Sequence, residues 1–444
     1  MIKNKGEGVM KITRRSFLKT ALSATAGSLL PAWTARVCFG ESEAPVREFR
    51  LSASRARVHL GAGPTFWAWT YNGQVPGPEI RVREGEVVRV VLKNYLPEGT
   101  SIHWHGVPVP NGMDGVPGVT QNGIRPGETF LYEFEARPAG TYLYHSHAGY
   151  QLDQGLYGPL IIEPANGNGS HDREYTLMVE DWVMKDGGGR ADTRRRPPMG
   201  GMGGMMGMRG GAGRGDAPLL EPFYDGYAVN GRLYPHLEPL EVKKGEKVKL
   251  RLVNPSSATI YDLQLAGHAM TITHTDGRPV EPLETDILRI GMGERYDVEF
   301  EAENPGFWLL AARETGLGEG QLRVPIRYRG TLTDEPSPPD FLSGRRFAAW
   351  WDLRSPEPTV SSRPEVPGRF LSQTLSGGMH SPYWTINGQI YPDVEPIRVK
   401  RGERVRLGYW NHSMMPHPMH LHGHFFRVVH PALPRERWIQ KDTV

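Results

Sequence analysis

A chain of 444 residues has room for about three domains of the usual ~150 residues each, and its 54 glycines and 38 prolines favour a turn-rich β protein over a helical one. The formal charge of +3 comes with no basic stripe interleaved with aromatics, which argues against a nucleic-acid-binding protein. No stretch approaches the ~20 uninterrupted apolar residues of a membrane-spanning helix.

The first element is an export signal. Lys11-Ile-Thr-Arg14-Arg15-Ser-Phe17-Leu18-Lys19 precedes a mildly apolar, small-residue stretch from Thr20 to Trp33. Paired arginines, the Phe-Leu-Lys that follows and the apolar run together read as a twin-arginine signal over residues 1–40. Export to the periplasm is therefore expected. Cys38, the single cysteine, falls inside that segment, so the mature protein is expected to have no disulfide and no thiolate ligand.

Next comes a module predicted over 46–165. Asn72-Gly-Gln-Val-Pro-Gly-Pro leads into Ile80-Arg-Val-Arg-Glu-Gly-Glu-Val-Val-Arg-Val-Val-Leu-Lys-Asn94. Apolar and charged residues alternate on both sides of a Gly-Glu turn, the pattern of two half-buried strands. His103 and His105 follow, then His145 and His147. Residues i and i+2 of a strand share a face, so each pair can reach one metal. Imidazole suits Cu, Zn, Fe and Ni, so the ligand type alone leaves the metal open.

The second module is predicted over 172–330. Residues 186–217 interrupt it with Met199, Met202, Met205, Met206 and Met208 on a glycine background, a composition that builds no packed core. The segment is either an inert linker or a thioether trap for Cu(I), and five methionines in ten residues favour the trap. The third module, predicted over 345–444, carries His417, His420 and His422.

The three modules are copies. Asn230-Gly-Arg-Leu-Tyr-Pro and Asn387-Gly-Gln-Ile-Tyr-Pro repeat the start of the first, at spacings of 158 and 157 residues, and the copies close on Asn94, Asn254 and Asn411. Nine and eleven residues past the closing asparagine stand His103 and His105, then Leu263 and Leu265, then His420 and His422. One strand position thus carries ligands in modules one and three and core leucines in module two. A later landmark, Gly140-Thr-Tyr-Leu-Tyr-His145, aligns with Gly306-Phe-Trp-Leu-Leu-Ala311. Carried into module three, its offset places a fourth ligand cluster near 462–468, beyond Val444. The sequence is accordingly expected to be a fragment of a longer protein.

His103-Trp-His105-Gly, Tyr144-His145-Ser-His147 and His417-Pro-Met-His420-Leu-His422-Gly-His resemble three of the four copper motifs of the multicopper oxidases, of the laccase-like and periplasmic copper-resistance kind. The resemblance covers the chain after the signal. It implies an all-β fold of three cupredoxin-like Greek-key β-sandwich domains, the third incomplete. It also implies copper as cofactor: His103 and His420 at a type 2 ion, His105, His145, His147 and His422 at a type 3 pair, and His417 at a type 1 ion. Asp114 resembles the family's proton-relay carboxylate; its own context, before Gly115, equally fits a turn residue. The implied reaction oxidises a small reductant, Cu(I) or a phenol, one electron at a time and reduces O2 to water, with copper tolerance as the outcome. The chain departs from the family in lacking the His-Cys-His motif, so it is expected to be inactive as written. A periplasmic copper-binding protein without turnover is the alternative. A two-domain nitrite reductase fits poorly with three repeats, and a zinc hydrolase poorly with the lack of a general-base carboxylate at motif spacing.

Overall fold

The computed structural model describes residues 44–184 (except 168 and 170), 224–314, 322–342, 345–356 and 368–444 (except 379, 380 and 414). The predicted signal and the methionines of 186–217 lie outside the described residues. The described fold is all-β, built from strands and three short 3-10 turns.

Module one is a sandwich. One sheet runs in the order Phe66–Tyr71, Val46–Val58, Val87–Asn94, Thr129–Glu135; the other runs Ile80–Arg83, Tyr157–Glu163, Gly140–His145, His103–His105. The two strands flanking the predicted Gly-Glu turn go to opposite sheets, and Gly85 takes the left-handed conformation (φ 89°) that lets the chain cross between them. Val88, Val90 and Leu92 point inward and are fully buried, with Ile80 and Val82 of the facing sheet in the same core. Each such side chain contributes about 1.5–3 kcal/mol by burial.

Module two repeats the plan with larger sheets of seven and six strands. The sheets are mixed rather than purely antiparallel: Val46–Val58 runs parallel to Val87–Asn94, and Arg173–Trp182 parallel to Lys247–Val253. The copies cross from sheet to sheet, and that crossing permits parallel neighbours. Residues Phe347–Ala348, which the repeat assigns to module three, pair with Ile287–Ile290 and extend module two's second sheet; Ala348 and Leu353 lie in its core.

The repeated asparagines explain why the copies persist. Asn72, Asn230 and Asn387 all sit at positive φ. Their side-chain carbonyls accept the amides of Ser52, Met178 and Thr374 at 2.7, 2.8 and 2.8 Å, tying the turn to a neighbouring strand. Asn94, Asn254 and Asn411 each accept the amide two residues on, at 2.8, 2.9 and 2.9 Å.

Module three differs. Its described residues form one three-stranded sheet, Ser381–Ile386, Arg369–Gly378, Val405–Asn411. The counterparts of buried Ile80 and Val82 are Ile397 and Val399, which are 47% and 62% exposed. In modules one and two those strands pair in parallel with a late strand of the second sheet. No such partner occurs among the described residues of module three. Its last residues form a two-stranded ribbon within the module, Gln440–Lys441 pairing with Phe426–Arg427, and also reach module two: Ile439 enters that core, and Lys441 meets Asp276 and Glu294.

Candidate metal centre

Strands His103–His105 and Gly140–His145 are adjacent and antiparallel, with His103 directly opposite His145. One histidine of each predicted pair is thereby brought opposite the other, with His105 two residues along on the same face and His147 just past the strand end. The same ladder in module two sets Leu263 opposite Ala312. The residue aligned with His145 is therefore Ala312 and not Ala311, a one-residue correction. Side chains alternate, so only the odd-even match puts Ala312 on the same face as Leu263; both belong to one core cluster.

Module three brings its histidines to this face. His420 forms a bridge with Thr443 of the terminal segment, and Met419 and Val444 exchange backbone hydrogen bonds of 2.7 and 3.1 Å. The His420 ring stacks on His105 and the His422 ring on His103, with centroids 3.7 and 3.8 Å apart. His147 stands at the exposed rim, its ring 4.9 Å from His422. Six of the seven predicted histidines thus form one cluster spanning two modules. His417 lies apart: its Nε2 is 2.7 Å from Ser413 Oγ, and its ring meets Trp384 edge-on at 5.0 Å.

The ring nitrogens are sorted by their outer partners. His103 Nδ1 donates to the Asp114 carbonyl (2.8 Å), His145 Nδ1 to the Ser146 carbonyl (2.9 Å), His420 Nδ1 to the Asp442 carbonyl (2.7 Å) and His422 Nδ1 to the Asp114 carboxylate (2.9 Å). Each places its proton on Nδ1 and frees Nε2. His105 is reversed: its Nε2 faces Thr443 Oγ1 (2.9 Å) and Asp442 Oδ1 (3.3 Å), which frees Nδ1. Such outer partners fix tautomer and ring orientation in metal-binding histidines.

The freed nitrogens converge. His103 Nε2 and His420 Nε2 are 3.3 Å apart, as are His105 Nδ1 and His145 Nε2. Nitrogens at that spacing can both lie about 2 Å from an ion between them, the usual metal–imidazole distance. His103, His105 and His420 form one compact donor group, and His103, Asp114 and His422 a second. Burial pulls the pKa of His103 down to about 4 against the hydrogen bond to Asp114, and holds His105 and His145 well below the ordinary histidine range. The three are neutral at pH 7, the state that binds metal. Burial would raise the carboxyl of Asp114, but hydrogen bonds from His103 and His422 outweigh it and hold the group well below the usual range. Asp114 is thus a turn residue, capping the short turn Asn111–Met113, and also an ionised partner of His103 and His422.

Sequence reasoning missed Asp442, Thr443 and Arg295. Asp442 and Thr443 contact histidines more than twenty or three hundred residues away, and no local pattern marks them.

An all-β fold of repeated sandwiches with a multi-histidine centre between the first and last modules marks a class of proteins built to hold metal ions between sandwich domains. Family models described as "Multicopper oxidase" match residues 53–167, 173–329 and 364–444 in turn. The chain belongs to the multicopper oxidase family. It is 36% identical over 415 residues to the Multicopper oxidase MmcO of Mycobacterium tuberculosis, covering 89% of this chain and 78% of that one. It is 29% identical to the Copper resistance protein A of Escherichia coli, covering 94% and 90%. The crystal structure of a multi-copper oxidase from Pseudomonas thermotolerans superposes with a TM-score of 0.67 at 27% identity, covering 90% of each chain. The laccase from Botrytis aclada superposes at 0.70 and 25% identity, covering 94% and 85%. These likenesses support the cupredoxin-like fold of the modules. No helix among the described residues is long and apolar enough to cross a membrane.

Proposed function

We propose that this protein is an oxidase that couples one-electron oxidation of a small reductant, Cu(I) or a phenol, to reduction of O2 to water. It would serve copper tolerance in the periplasm after twin-arginine export. The observation that carries the reading is the set of ring nitrogens from modules one and three that converge on one face, each with its opposite nitrogen tied down.

His103 and His420 would hold one copper ion, and His105, His145, His147 and His422 would hold the pair beside it. Copper in such a site would take up electrons singly and pass four to O2. The protein's own part is preorganisation. Burial keeps His103, His105 and His145 neutral, and the carbonyls of Asp114, Ser146 and Asp442 aim the rings. Water formation consumes protons, and Asp114, bonded to His422, would be the carboxylate that relays them. His417 would serve a separate electron-entry site. The name of Copper resistance protein A, with the methionines of 199–208, favours Cu(I) over a phenol as the reductant.

A second reading is copper binding without turnover. It is favoured by His417 meeting Ser413 and Trp384 and lying apart from the six-histidine cluster. Oxygen uptake by the copper-loaded chain, with Cu(I) and with a phenol, separates the readings. Uptake supports the oxidase; bound copper with no uptake supports sequestration. Equal Cu(I) rates after deletion of 199–208 would remove the case for Cu(I) as the favoured reductant.

A further inference from the structure

Module two carries leucines where its neighbours carry ligands, yet it touches the metal centre through ions. Arg295 is fully buried and donates to both carboxylate oxygens of Asp442, at 2.7 and 2.5 Å. It also donates to the carbonyls of Gly293 and Thr141 at 2.9 and 3.3 Å. Asp442 in turn faces one histidine from each ligand-bearing module: its Oδ1 is 3.3 Å from His105 Nε2 and its carbonyl 2.7 Å from His420 Nδ1. Thr443 Oγ1 closes the arrangement, 2.9 Å from His105 Nε2 and 2.9 Å from Asp442 Oδ1.

The segment bearing Asp442 is anchored in the same way. Asp276 accepts the amides of Asp442, Thr443 and Arg295 at 3.3, 3.2 and 3.1 Å. Lys441 is 3.1 Å from Asp276 and 2.9 Å from Glu294. Five ionisable side chains, Asp276, Glu294, Arg295, Lys441 and Asp442, are buried together. Buried ion pairs are a weak source of stability beside apolar packing, so a cluster of them against the histidine centre points to a geometric role. Gly106, next to His105, fits the same reading. A Cβ there would lie 2.4 Å from Arg295 Nη2 and 2.5 Å from Asp442 Oδ2, so the backbone after the ligand is packed directly on the ion pair.

We propose that Arg295 of the ligand-free module is a positioning residue for the copper centre, setting His105 and His420 through Asp442. The inference rests on the copper reading of the cluster. It makes module two a clamp that fixes the distance between the two ligand-bearing modules.

The test compares the full chain with Arg295→Lys, Asp442→Asn and Asp262→Asn. Asp262 is a buried carboxylate of module two paired with Arg289, outside this network, so Asp262→Asn controls for stability alone. Each protein is melted in the apo form, then given one equivalent of Cu(II), examined by electron paramagnetic resonance and titrated with a competing chelator. Arg295→Lys and Asp442→Asn should each weaken Cu(II) binding by ~10- to 100-fold, the range for loss of an outer partner, with an altered copper hyperfine splitting. Asp262→Asn should lower the melting temperature and leave affinity and splitting unchanged. Asp442→Asn serves if Arg295→Lys does not fold. A folded Arg295→Lys or Asp442→Asn with the parent's affinity and spectrum overturns the positioning role alone. A parent chain that shows no nitrogen-coordinated Cu(II) overturns the copper reading, and this inference with it.

Discussion

Gly115 offers a sharp probe of the centre, because its backbone is wedged under the His103 strand. It lies at φ 79°, and a Cβ on it would sit 1.8 Å from the Ile102 carbonyl oxygen and 2.8 Å from the His103 amide nitrogen. Both obstacles are backbone and cannot swing aside. In Gly115→Ala the turn must therefore retreat by about 1 Å to reach a tolerable contact. Asp114 precedes this residue and holds His103 at 2.8 Å and His422 at 2.9 Å. A retreat of about 1 Å takes both bonds beyond hydrogen-bonding range. The left-handed alanine costs about 1–2 kcal/mol. The lost charge-assisted bond to His422 costs about 1.5–3 kcal/mol more. At about 2–4 °C per kcal/mol for a domain of this size, the apo melting transition should fall by about 5 °C or more. Copper affinity should fall about tenfold or more as two ligands lose their outer partner. Differential scanning calorimetry and chelator competition measure both. A variant that melts within about 2 °C of the parent and binds copper equally well would refute the packing of this turn against Ile102.

Three further outcomes follow from the same geometry. The folded-state pKa of His103, about 4, lies below the ordinary 6.5, so the unfolded chain binds the extra proton between those values. Its contribution of about 3 kcal/mol is complete above pH 6.5 and is lost as pH falls towards 4; His103→Gln should flatten that limb of apo stability measured in urea. Glu180 shows the opposite sign: burial, partly offset by bonds from Trp182 and Gly231, raises its pKa from 4.5 to about 7. Its contribution is complete below pH 4.5 and lost as pH rises through 7, so Glu180→Gln should gain on the parent by up to about 3 kcal/mol between pH 4.5 and 8; a constant difference would exclude a buried, titrating carboxyl. His417→Ala should leave Cu(II) bound by His103 and His420 untouched, since His417 contacts Ser413 and Trp384 and not the cluster; loss of that copper signal would place His417 at the centre.

The histidine cluster was legible because strand periodicity and the repeat are both local. Two-residue spacing put each pair on one face, and the distance from Asn94 and Asn411 put His103 and His420 in equivalent strands, now seen with their Nε2 atoms 3.3 Å apart. The repeat matches His145 to Ala311 where the ladder has Ala312, because apolar residues fill both faces of the buried strand Phe307–Glu314 and conceal its alternation. The mixed sheets were not legible, since parallel pairing is decided by which sheet a strand crosses to. The outer partners were hidden for a different reason. Asp442, Thr443 and Arg295 are ordinary residues until the terminal segment and module two are folded against His105, and only the three-dimensional neighbourhood turns them into a clamp. In module three the repeat predicts buried strands correctly for its sister modules, but Ile397 and Val399 remain exposed because burial depends on a facing sheet, which a strand's own sequence does not supply.

Anomalous scattering at the copper edge, recorded from crystals of the copper-loaded chain, bears most directly on the histidine centre. A peak is expected between His103 Nε2 and His420 Nε2, with further density beside His105 Nδ1 and His145 Nε2. Copper found only elsewhere in the chain, with the six histidines carrying no peak, would contradict a copper centre between modules one and three.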